Sequence, residues 1–418
     1  MRSLIAPPGG PGPAGTNAAQ ALFREARRRR RLRWLAMIAA VLVTAAVVAV
    51  SAVTWLPRIL GQPHHRTGAV GAGVAGRSAA ASYVRSNDAG TVTPIFTATN
   101  TAGTPIKVGD GPGAIAITPD GRTIYVASYR DTVTPIFTAT HTAGTPIKVG
   151  VTPTAIAVTP DGKTAYVANL GSDTVTPIST ATNTPGRPIA VDGNPWTIAI
   201  APDGQTAYVL SSQCGCTNNN RSSTVTPIKT ATNTPGRPIK LGHRPLRAMA
   251  ITPDGNTVYV ITERGVVPID TATNTPGRTI KVGNGPEAIT ITPDGRTAYV
   301  ASSFGKTVTP INLATNTPGR AINDGGEWPF PIAITPDSKT AYVAGFNTVT
   351  PIATATNTQG RPIKVGNYAF AIAITPDGKT AYVTSMFSDT VTPIRTATNT
   401  PGSPIKVGSR PTYMVTTP

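Results

Sequence analysis

Short apolar runs alternate with turn residues through most of this chain. Within residues 371–408, an isoleucine-rich run at 371–375 precedes a Pro-Asp-Gly turn, an alternating segment at 380–384 and two β-rich segments at 390–394 and 404–408. Proline, aspartate and glycine suit tight turns, because proline fixes φ, aspartate bonds nearby backbone and glycine accepts positive φ. No segment between turns reaches helical length. The pattern predicts four short β-strands per unit.

Near-copies of this unit fill the chain from about residue 80 onward. The turn aspartates are 40 to 51 residues apart, at Asp120, Asp161, Asp203, Asp254, Asp294, Asp337 and Asp377. Four strands in a period near 40 residues are the signature of a β-propeller blade. Because these aspartates recur at one turn position, we expect them to be structural and not a carboxylate cluster.

The strand count predicts how the ring closes. The Tyr-Val pair and the third strand each occur eight times, whereas the first strand is missing before Tyr83 and has its eighth copy at residues 411–418. We expect the C-terminal strand to complete the blade formed by residues 81–109, because closure removes exposed sheet edges. The prediction is an all-β propeller of eight four-stranded blades. Seven blades are the alternative, if residues 81–109 lie outside the ring.

The motifs PDGKTAYV, TVTPI-x-TATNT and PIKVG resemble the YVTN family of β-propeller repeats, also grouped as YncE-like proteins. The resemblance covers residues 81–418 and implies the propeller fold. One departure is the proline inside every third strand, such as Pro393. Proline cannot donate to a strand ladder, so we expect a bulge there or a fourth strand that pairs only in part.

The first 80 residues have a different composition. Residues 1–33 read as a disordered tail ending in an arginine cluster, and residues 34–56 contain no charge and are long enough to span a bilayer as one transmembrane helix. The arginines place the tail in the cytoplasm and residues 81–418 outside the cell membrane. A cleaved signal peptide, which would make the protein secreted, is the alternative. Residues 57–80 read as a flexible linker.

The net charge of +18 has two sources. Residues 1–66 carry ten arginines and one glutamate, and much of the remainder recurs in the fourth strand at Lys107, Lys148, Lys240, Lys281, Lys364 and Lys406. Lysines on outer strands block edge-to-edge aggregation, and attraction to anionic envelope polymers is the functional alternative. Because these lysines are spread around a rim, we expect no nucleic-acid partner.

Two loop classes vary between the copies, and both are expected at one end of the ring. One joins the fourth strand to the next first strand, and the other joins the second and third strands. Binding residues concentrate on loops held by a rigid scaffold. The predicted binding residues are Trp196, Trp328, Phe330, Tyr368, Phe370, Arg244, Arg247 and Tyr413. The alternative is that these aromatic residues fill gaps between blades.

The longest loop, residues 211–223, holds the two cysteines, Cys214 and Cys216. Outside the membrane a local disulfide is the first interpretation, although a bridge across one residue would be strained. Free thiols are the second interpretation. A metal site is the third, because two thiolates are half of a structural zinc set. We predict no metal site and no cofactor.

The sequence contains no G-x-S-x-G, glycine-rich phosphate loop or H-E-x-x-H motif. The expected function is therefore non-catalytic: a monomeric, membrane-anchored, extracytoplasmic platform that binds a protein or an anionic cell-envelope polymer. The alternative is a lactonase-like hydrolase that uses the central mouth of the propeller, since similar propellers carry such activity. Its candidate residues are His243, Glu287 and Glu327.

Overall fold

Eight antiparallel sheets form a closed eight-bladed β-propeller. The computed structural model describes residues 80–212, 223–242, 245–323 and 328–418. Each inner strand contacts the inner strand of the next blade, and the last inner strand contacts the first. The predicted eight blades are confirmed, and the alternative of seven is wrong. We number the blades 1 to 7 from residue 112, and blade 8 is the closing blade.

In blades 1 to 7 the strands follow in chain order from the centre outward, whereas the inner strand of blade 8 is the last strand of the chain. The inner strands of blades 1 to 8 are Pro112–Ile117, Pro153–Val158, Asn194–Ile200, Pro245–Ile251, Pro286–Ile291, Ile332–Ile334, Ala369–Ile374 and Pro411–Thr416. The second strands are Thr123–Ser128, Thr164–Asn169, Thr206–Ser212, Thr257–Thr262, Thr297–Ser302, Thr340–Ala344, Thr380–Ser385 and Ala81–Ser86. The third strands are Thr132–Phe137, Thr174–Ser179, Ser223–Lys229, Gly265–Asp270, Thr307–Asn312, Thr348–Ala353, Thr390–Arg395 and Thr91–Phe96.

The fourth strand is split into short pieces, as the proline in the third strand predicts. The pieces are Thr142–Ala143 and Ile147–Lys148, Thr184–Pro185 and Ile189–Ala190, Thr234–Pro235 and Ile239–Lys240, Thr275–Pro276, Thr317–Pro318 and Ile322–Asn323, Thr358–Gln359 and Ile363–Lys364, Thr400–Pro401 and Ile405–Lys406, and Thr101–Ala102 and Ile106–Lys107. One 3₁₀ helix, Leu170–Ser172, lies in the described residues.

Blade 7 shows how the proline divides its neighbour. Pro401 and Ile405 pair with the two ends of the third strand, and Pro393 lies between these pairings. Gly402 N–H still donates to the Pro393 carbonyl over 2.7 Å. Because Pro393 has no N–H, the outer strand can bulge away at this point without leaving a donor unpaired. The outer lysines, such as Lys406, are exposed on this edge, as expected.

Ring closure joins the two ends of the propeller sequence. Strand Pro411–Thr416 pairs antiparallel with Ala81–Ser86, and Ser82 lies opposite Thr416 with their hydroxyls 2.9 Å apart. Thr417 N–H also donates to the Ala81 carbonyl over 3.0 Å. Blade 8 therefore takes one strand from the C-terminus and the rest from residues 81–107.

The core lies between the blades, since each blade is too thin to bury its own apolar faces. Val133 of blade 1, for example, packs in one cluster with Ile156 and Val167 of blade 2. Burial of one such aliphatic side chain stabilises the fold by roughly 1.5–3 kcal/mol. The alternating apolar residues of the second and third strands thus hold the ring together as a series of interfaces.

A polar ladder reinforces these interfaces. The buried tyrosine of a second strand donates its hydroxyl to the asparagine Oδ1 of the TATNT turn in the next blade, as in Tyr259 to Asn316 over 2.6 Å. The same bond joins Tyr125 to Asn183, Tyr166 to Asn233, Tyr299 to Asn357, Tyr342 to Asn399 and Tyr382 to Asn100. Burial raises the pKa of Tyr259 to about 12, so its hydroxyl stays a donor at neutral pH.

His141 occupies the asparagine position of this ladder in blade 1. It has the turn conformation expected from its position, with φ of 54°. Its Nδ1 is 2.9 Å from the hydroxyl of Tyr83, and its ring packs edge-on against Phe96. His141 is therefore a turn residue that also joins blade 8 to blade 1.

We expect the ladder bond to contribute measurably to stability. Tyr259→Phe should lower the free energy of unfolding by about 1 kcal/mol, because the Asn316 amide loses its partner. Asn316→Gly, which keeps the left-handed backbone, should cost a similar amount. The double variant in a chemical-unfolding cycle should show a coupling of about 1 kcal/mol. Strict additivity would contradict an energetic role for this bond.

The Pro-Asp-Gly turns are structural, as predicted. Thr375 Oγ1 donates to Asp377 Oδ1 over 2.6 Å, and Lys379 N–H donates to the same oxygen over 3.0 Å. The Thr375 hydrogen bond, helped by Lys379, lowers the pKa of Asp377 despite its partial burial. Gly378 completes the turn with φ of 71°.

The predicted tail, transmembrane helix and linker lie outside the described residues, apart from residue 80. Within residues 80–418, where described, no helix has the length and apolar character to cross a membrane.

Candidate binding face

The two variable loop classes emerge at the same end of the ring, as expected. Trp328, before the inner strand of blade 6, packs edge-on against Phe304 of the second-to-third connection in blade 5 at 5.9 Å. Tyr368 packs against Phe387 of the other loop class at 5.1 Å between ring centroids. We call this end of the propeller the variable face.

The structure separates the predicted aromatic residues into exposed and buried ones. Trp328 is 44% exposed, and Tyr368 is half-buried. Phe330, Phe370 and Tyr413 are buried, so they fill space beneath the loops and between blades. The alternative interpretation, that aromatic residues fill gaps between blades, therefore applies to these three side chains.

Trp196 is half-buried in the inner strand of blade 3. Arg244 and the side chain of Arg247 lie outside the described residues, and so do Cys214, Cys216, His243 and Glu327.

Tyr368 lies at the centre of a continuous aromatic network. Its ring centroid is 5.8 Å from that of Phe346 and 6.2 Å from that of Phe370. Phe370 in turn packs edge-on against Tyr413 at 5.6 Å. Aromatic pairs at such distances add about 0.5–1.5 kcal/mol beyond their area burial. The network links loop residues of blades 6 and 7 to the inner strands of blades 7 and 8.

Three exposed rings were not among the predicted binding residues. Phe304, Phe346 and Phe387 are 67%, 42% and 45% exposed, and all follow second strands of adjacent blades. With Trp328, they form what we call the aromatic patch. Their signal in the sequence was an aromatic residue just after the second strand in blades 5, 6 and 7.

The backbone at Trp328 and Tyr368 is left-handed, with φ of 64° and 61°. The equivalent residues in blades 1 and 5 are Gly111 and Gly285, with φ of 59° and 68°. This conformation costs a bulky residue roughly 1–2 kcal/mol. Tyr368 N–H donates to the Phe346 carbonyl over 2.5 Å, which helps to hold it. Glycine thus holds this left-handed position in blades 1 and 5, Thr152 and Arg410 hold it in blades 2 and 8, and blades 6 and 7 carry aromatic residues there.

A β-bulge near the start of the inner strand supplies one variable position in most blades. Pairing shifts between Pro286 and Ala288, so Glu287 is the additional residue. The corresponding residues are Gly113 in blade 1, Thr154 in blade 2, Trp196 in blade 3 and Phe370 in blade 7. Bulges commonly redirect side chains near functional sites. The inner strands thus vary chemically at one position beside the variable face.

Glu287 is the hydrolase candidate that the structure describes. Ser303 Oγ donates a short hydrogen bond to Glu287 Oε1. Burial raises the pKa of Glu287, and the Ser303 bond opposes that shift. Burial, followed by the nearby Glu287 charge, raises the pKa of Tyr368. Among described residues, no cluster of three or more histidine, cysteine or acidic side chains could hold a metal.

One residue beside the aromatic network was missed from the sequence. Arg85 is buried in the second strand of blade 8, and its guanidinium carbon lies 4.3 Å from the centroid of the Tyr413 ring. The signal was visible, because the residue after the Tyr-Val pair is Ala127, Ala168, Leu210, Ile261, Ala301, Ala344 or Thr384 in the other copies.

Comparisons with known proteins relate this chain to solved propellers. Hydrazine synthase from Kuenenia stuttgartiensis is 27% identical, with 68% of this chain and 96% of that chain covered and a TM-score of 0.56. The dihydro-heme d1 dehydrogenase NirN in complex with DHE is 15% identical, with 89% and 80% covered and a TM-score of 0.65. Apo AztD from Citrobacter koseri is 14% identical, with 81% and 98% covered and a TM-score of 0.62.

No protein-family model matches the sequence, and no curated protein matches it. The three solved structures carry different names and functions, and two of them are less than 20% identical to this chain. They support the propeller fold and leave the function to be argued from the site.

Proposed function

We propose that this protein is a non-catalytic binding platform that presents the aromatic patch to a protein or cell-envelope ligand. The observation that carries the proposal is the set of four exposed aromatic rings on adjacent blades of one face. Exposed apolar clusters are unfavourable in water and commonly mark interaction sites. Aromatic side chains also supply much of the energy of known interfaces.

Backbone strain supports the same assignment. Trp328 and Tyr368 occupy left-handed positions that glycine fills in blades 1 and 5 and that Thr152 and Arg410 fill in blades 2 and 8. Strain of this kind concentrates at functional sites, where the surrounding structure maintains it. The buried Phe370 beneath the loops holds Tyr368 in place. A patch on such a support loses little conformational entropy when it binds a ligand.

We further infer that the repeat is of the YVTN type, on its PDGKTAYV and TATNT motifs. Residues 34–56 would anchor the chain as a single transmembrane helix, with the propeller on the extracytoplasmic side. In this arrangement the ligand is a surface protein or an anionic envelope polymer, and the exposed rim lysines add long-range attraction.

Replacement of the four patch residues by serine should abolish binding to a purified cell-envelope fraction. The variant is Phe304→Ser, Trp328→Ser, Phe346→Ser and Phe387→Ser in the full-length protein, measured by co-sedimentation. We expect at least a hundredfold weaker binding, because hot-spot residues contribute about 2 kcal/mol or more each. The rings are exposed, so the fold should survive, and circular dichroism would verify this.

The matched control is Phe137→Ser, which removes a ring that is 39% exposed at the end of a third strand, on the opposite face. This variant should bind as the parent does. An equal loss of binding in both variants would indicate nonspecific hydrophobic binding by any exposed ring. Equal binding of the parent and the patch variant, with both released by salt, would assign binding to the lysine rim and contradict the proposal.

The hydrolase alternative rests on Glu287, whose raised pKa suits a general acid or base. Ser303 already bonds this carboxyl, and the other two candidates lie outside the described residues. Among the described residues, no second candidate side chain converges with Glu287, and the exposed aromatic rings give the binding role the stronger support. Hydrolysis of a lactone that is lost in Glu287→Gln would favour the alternative instead.

A further inference from the structure

Arg85 has no equivalent in the other seven blades. It follows the Tyr-Val pair in blade 8, where the other copies carry Ala, Leu, Ile or Thr. Ala, Leu and Ile carry no polar side-chain group, and the hydroxyl of Thr384 in blade 7 donates to the Thr412 carbonyl over 3.0 Å. Arg85 is 2% exposed, so blade 8 buries a full positive charge at a position where the other seven copies carry an uncharged residue.

The contacts of Arg85 satisfy only part of its guanidinium. Nε and Nη2 both donate to Thr412 Oγ1, over 2.9 and 2.5 Å. Nη1 is buried and has no hydrogen-bond partner within the described residues. The Tyr413 ring lies 4.3 Å away and offers its face to the cation.

The described residues provide no ion-pair partner for this charge. Among the ion pairs of the described residues, none includes Arg85. Burial lowers the pKa of Arg85 to about 10, which still leaves the guanidinium cationic at neutral pH. A buried charge without a counter-charge is strongly unfavourable, and proteins retain one where a partner or ligand neutralises it.

Tyr129, in the connection after the second strand of blade 1, is 44% exposed. Its ring lies over Gly113, where an added Cβ would be 3.3 Å from Tyr129 Cε1. Gly113 is the bulge residue of blade 1, so the position that holds Trp196 or Glu287 in other blades has no side chain here.

We propose that Arg85 anchors a binding site for a small oxyanion, a carboxylate or phosphate group, between blade 8 and blade 1 beside the variable face. Nη1 donates to the anion, because guanidinium nitrogens form strong charge-assisted bonds with such oxygens. The Tyr413 ring and Thr412 hold the guanidinium in orientation. This site is separate from the aromatic patch and does not depend on the platform role.

The test uses the full-length protein with inorganic phosphate or citrate at constant ionic strength set with sodium chloride. The unfolding temperature of the parent should rise with either anion. A rise with phosphate alone or citrate alone identifies the group that the site prefers. Arg85→Met should unfold at a higher temperature than the parent without anion, because it removes the unpaired charge, and should show at least tenfold weaker response to the anion.

Arg410→Met is the matched control, since Arg410 is a partly exposed arginine that pairs with Asp88 near the same face. It should keep the anion response of the parent. If Arg85→Met does not fold, Arg85→Lys retains the charge without the planar guanidinium, and its affinity for the anion should still fall at least tenfold. Equal anion responses in the parent and the Arg85 variant, or no response in the parent, would overturn the proposal.

Discussion

Deletion of residues 410–418 is expected to abolish cooperative folding of the ring. The deletion removes the inner strand of blade 8 and the buried side chains of Tyr413, Met414 and Val415. These three side chains alone stabilise the fold by roughly 5–9 kcal/mol, which is comparable with the whole stability of many domains. The deletion would also expose Arg85 and the inner face of blade 7. The measurement is chemical unfolding followed by far-ultraviolet circular dichroism.

A disulfide that closes the ring between the two ends of the propeller sequence provides the complementary experiment. Ser82→Cys and Thr416→Cys, in a background with Cys214→Ser and Cys216→Ser, place two thiols on directly paired residues whose hydroxyls are 2.9 Å apart. A disulfide that closes such a long loop should stabilise the oxidised protein by about 4 kcal/mol. A truncated protein that keeps a sharp transition, or an oxidised variant no more stable than its reduced form, would contradict closure as the main constraint on the ring.

Most of the fold was predictable because the chain repeats itself. The strands, the Pro-Asp-Gly turns and the eighth inner strand at residues 411–418 could be counted directly, and the proline in TVTPI correctly indicated a divided outer strand. The Tyr–Asn ladder was not predicted. Apart from Tyr382–Asn100, which spans the ring closure, each of its bonds joins residues about one and a half repeats apart, and a repeat unit considered alone shows only a turn asparagine and a core tyrosine.

The candidate site was predictable in position but only partly in composition. Loop variation located the variable face, yet an aromatic residue in a loop can point outward like Trp328 or inward like Phe370. That choice depends on the bulge and on the neighbouring blade, which sequence periodicity does not encode. Arg85 was missed for the same reason, because a charged residue in a strand is ordinarily expected on the exposed side.

Gly265→Ala is expected to be the most destabilising single substitution in blade 4. Gly265 has φ of 135°, and an added Cβ would lie only 2.2 Å from the Ile280 carbonyl oxygen. That oxygen accepts the Val266 N–H over 2.9 Å, so it cannot move away without breaking the bond that holds the outer edge. Backbone strain and overpacking together should cost about 3–5 kcal/mol in chemical unfolding.

Gly162→Ala separates the cost of backbone strain from the cost of overpacking. Gly162 also has positive φ, at 72°, but an added Cβ would meet only Pro119 Cδ at 3.5 Å, which is ordinary contact. This control should therefore cost only the left-handed backbone penalty of about 1–2 kcal/mol. Blade 4 depends on Gly265 because its outer edge beyond Thr275–Pro276 is a single bridge between Val266 and Ile280, where other blades have a second two-residue strand. An equal decrease in the free energy of unfolding of the two variants would mean that the segment around Ile280 moves to accommodate the added Cβ. In that case the positive φ alone would require glycine at position 265.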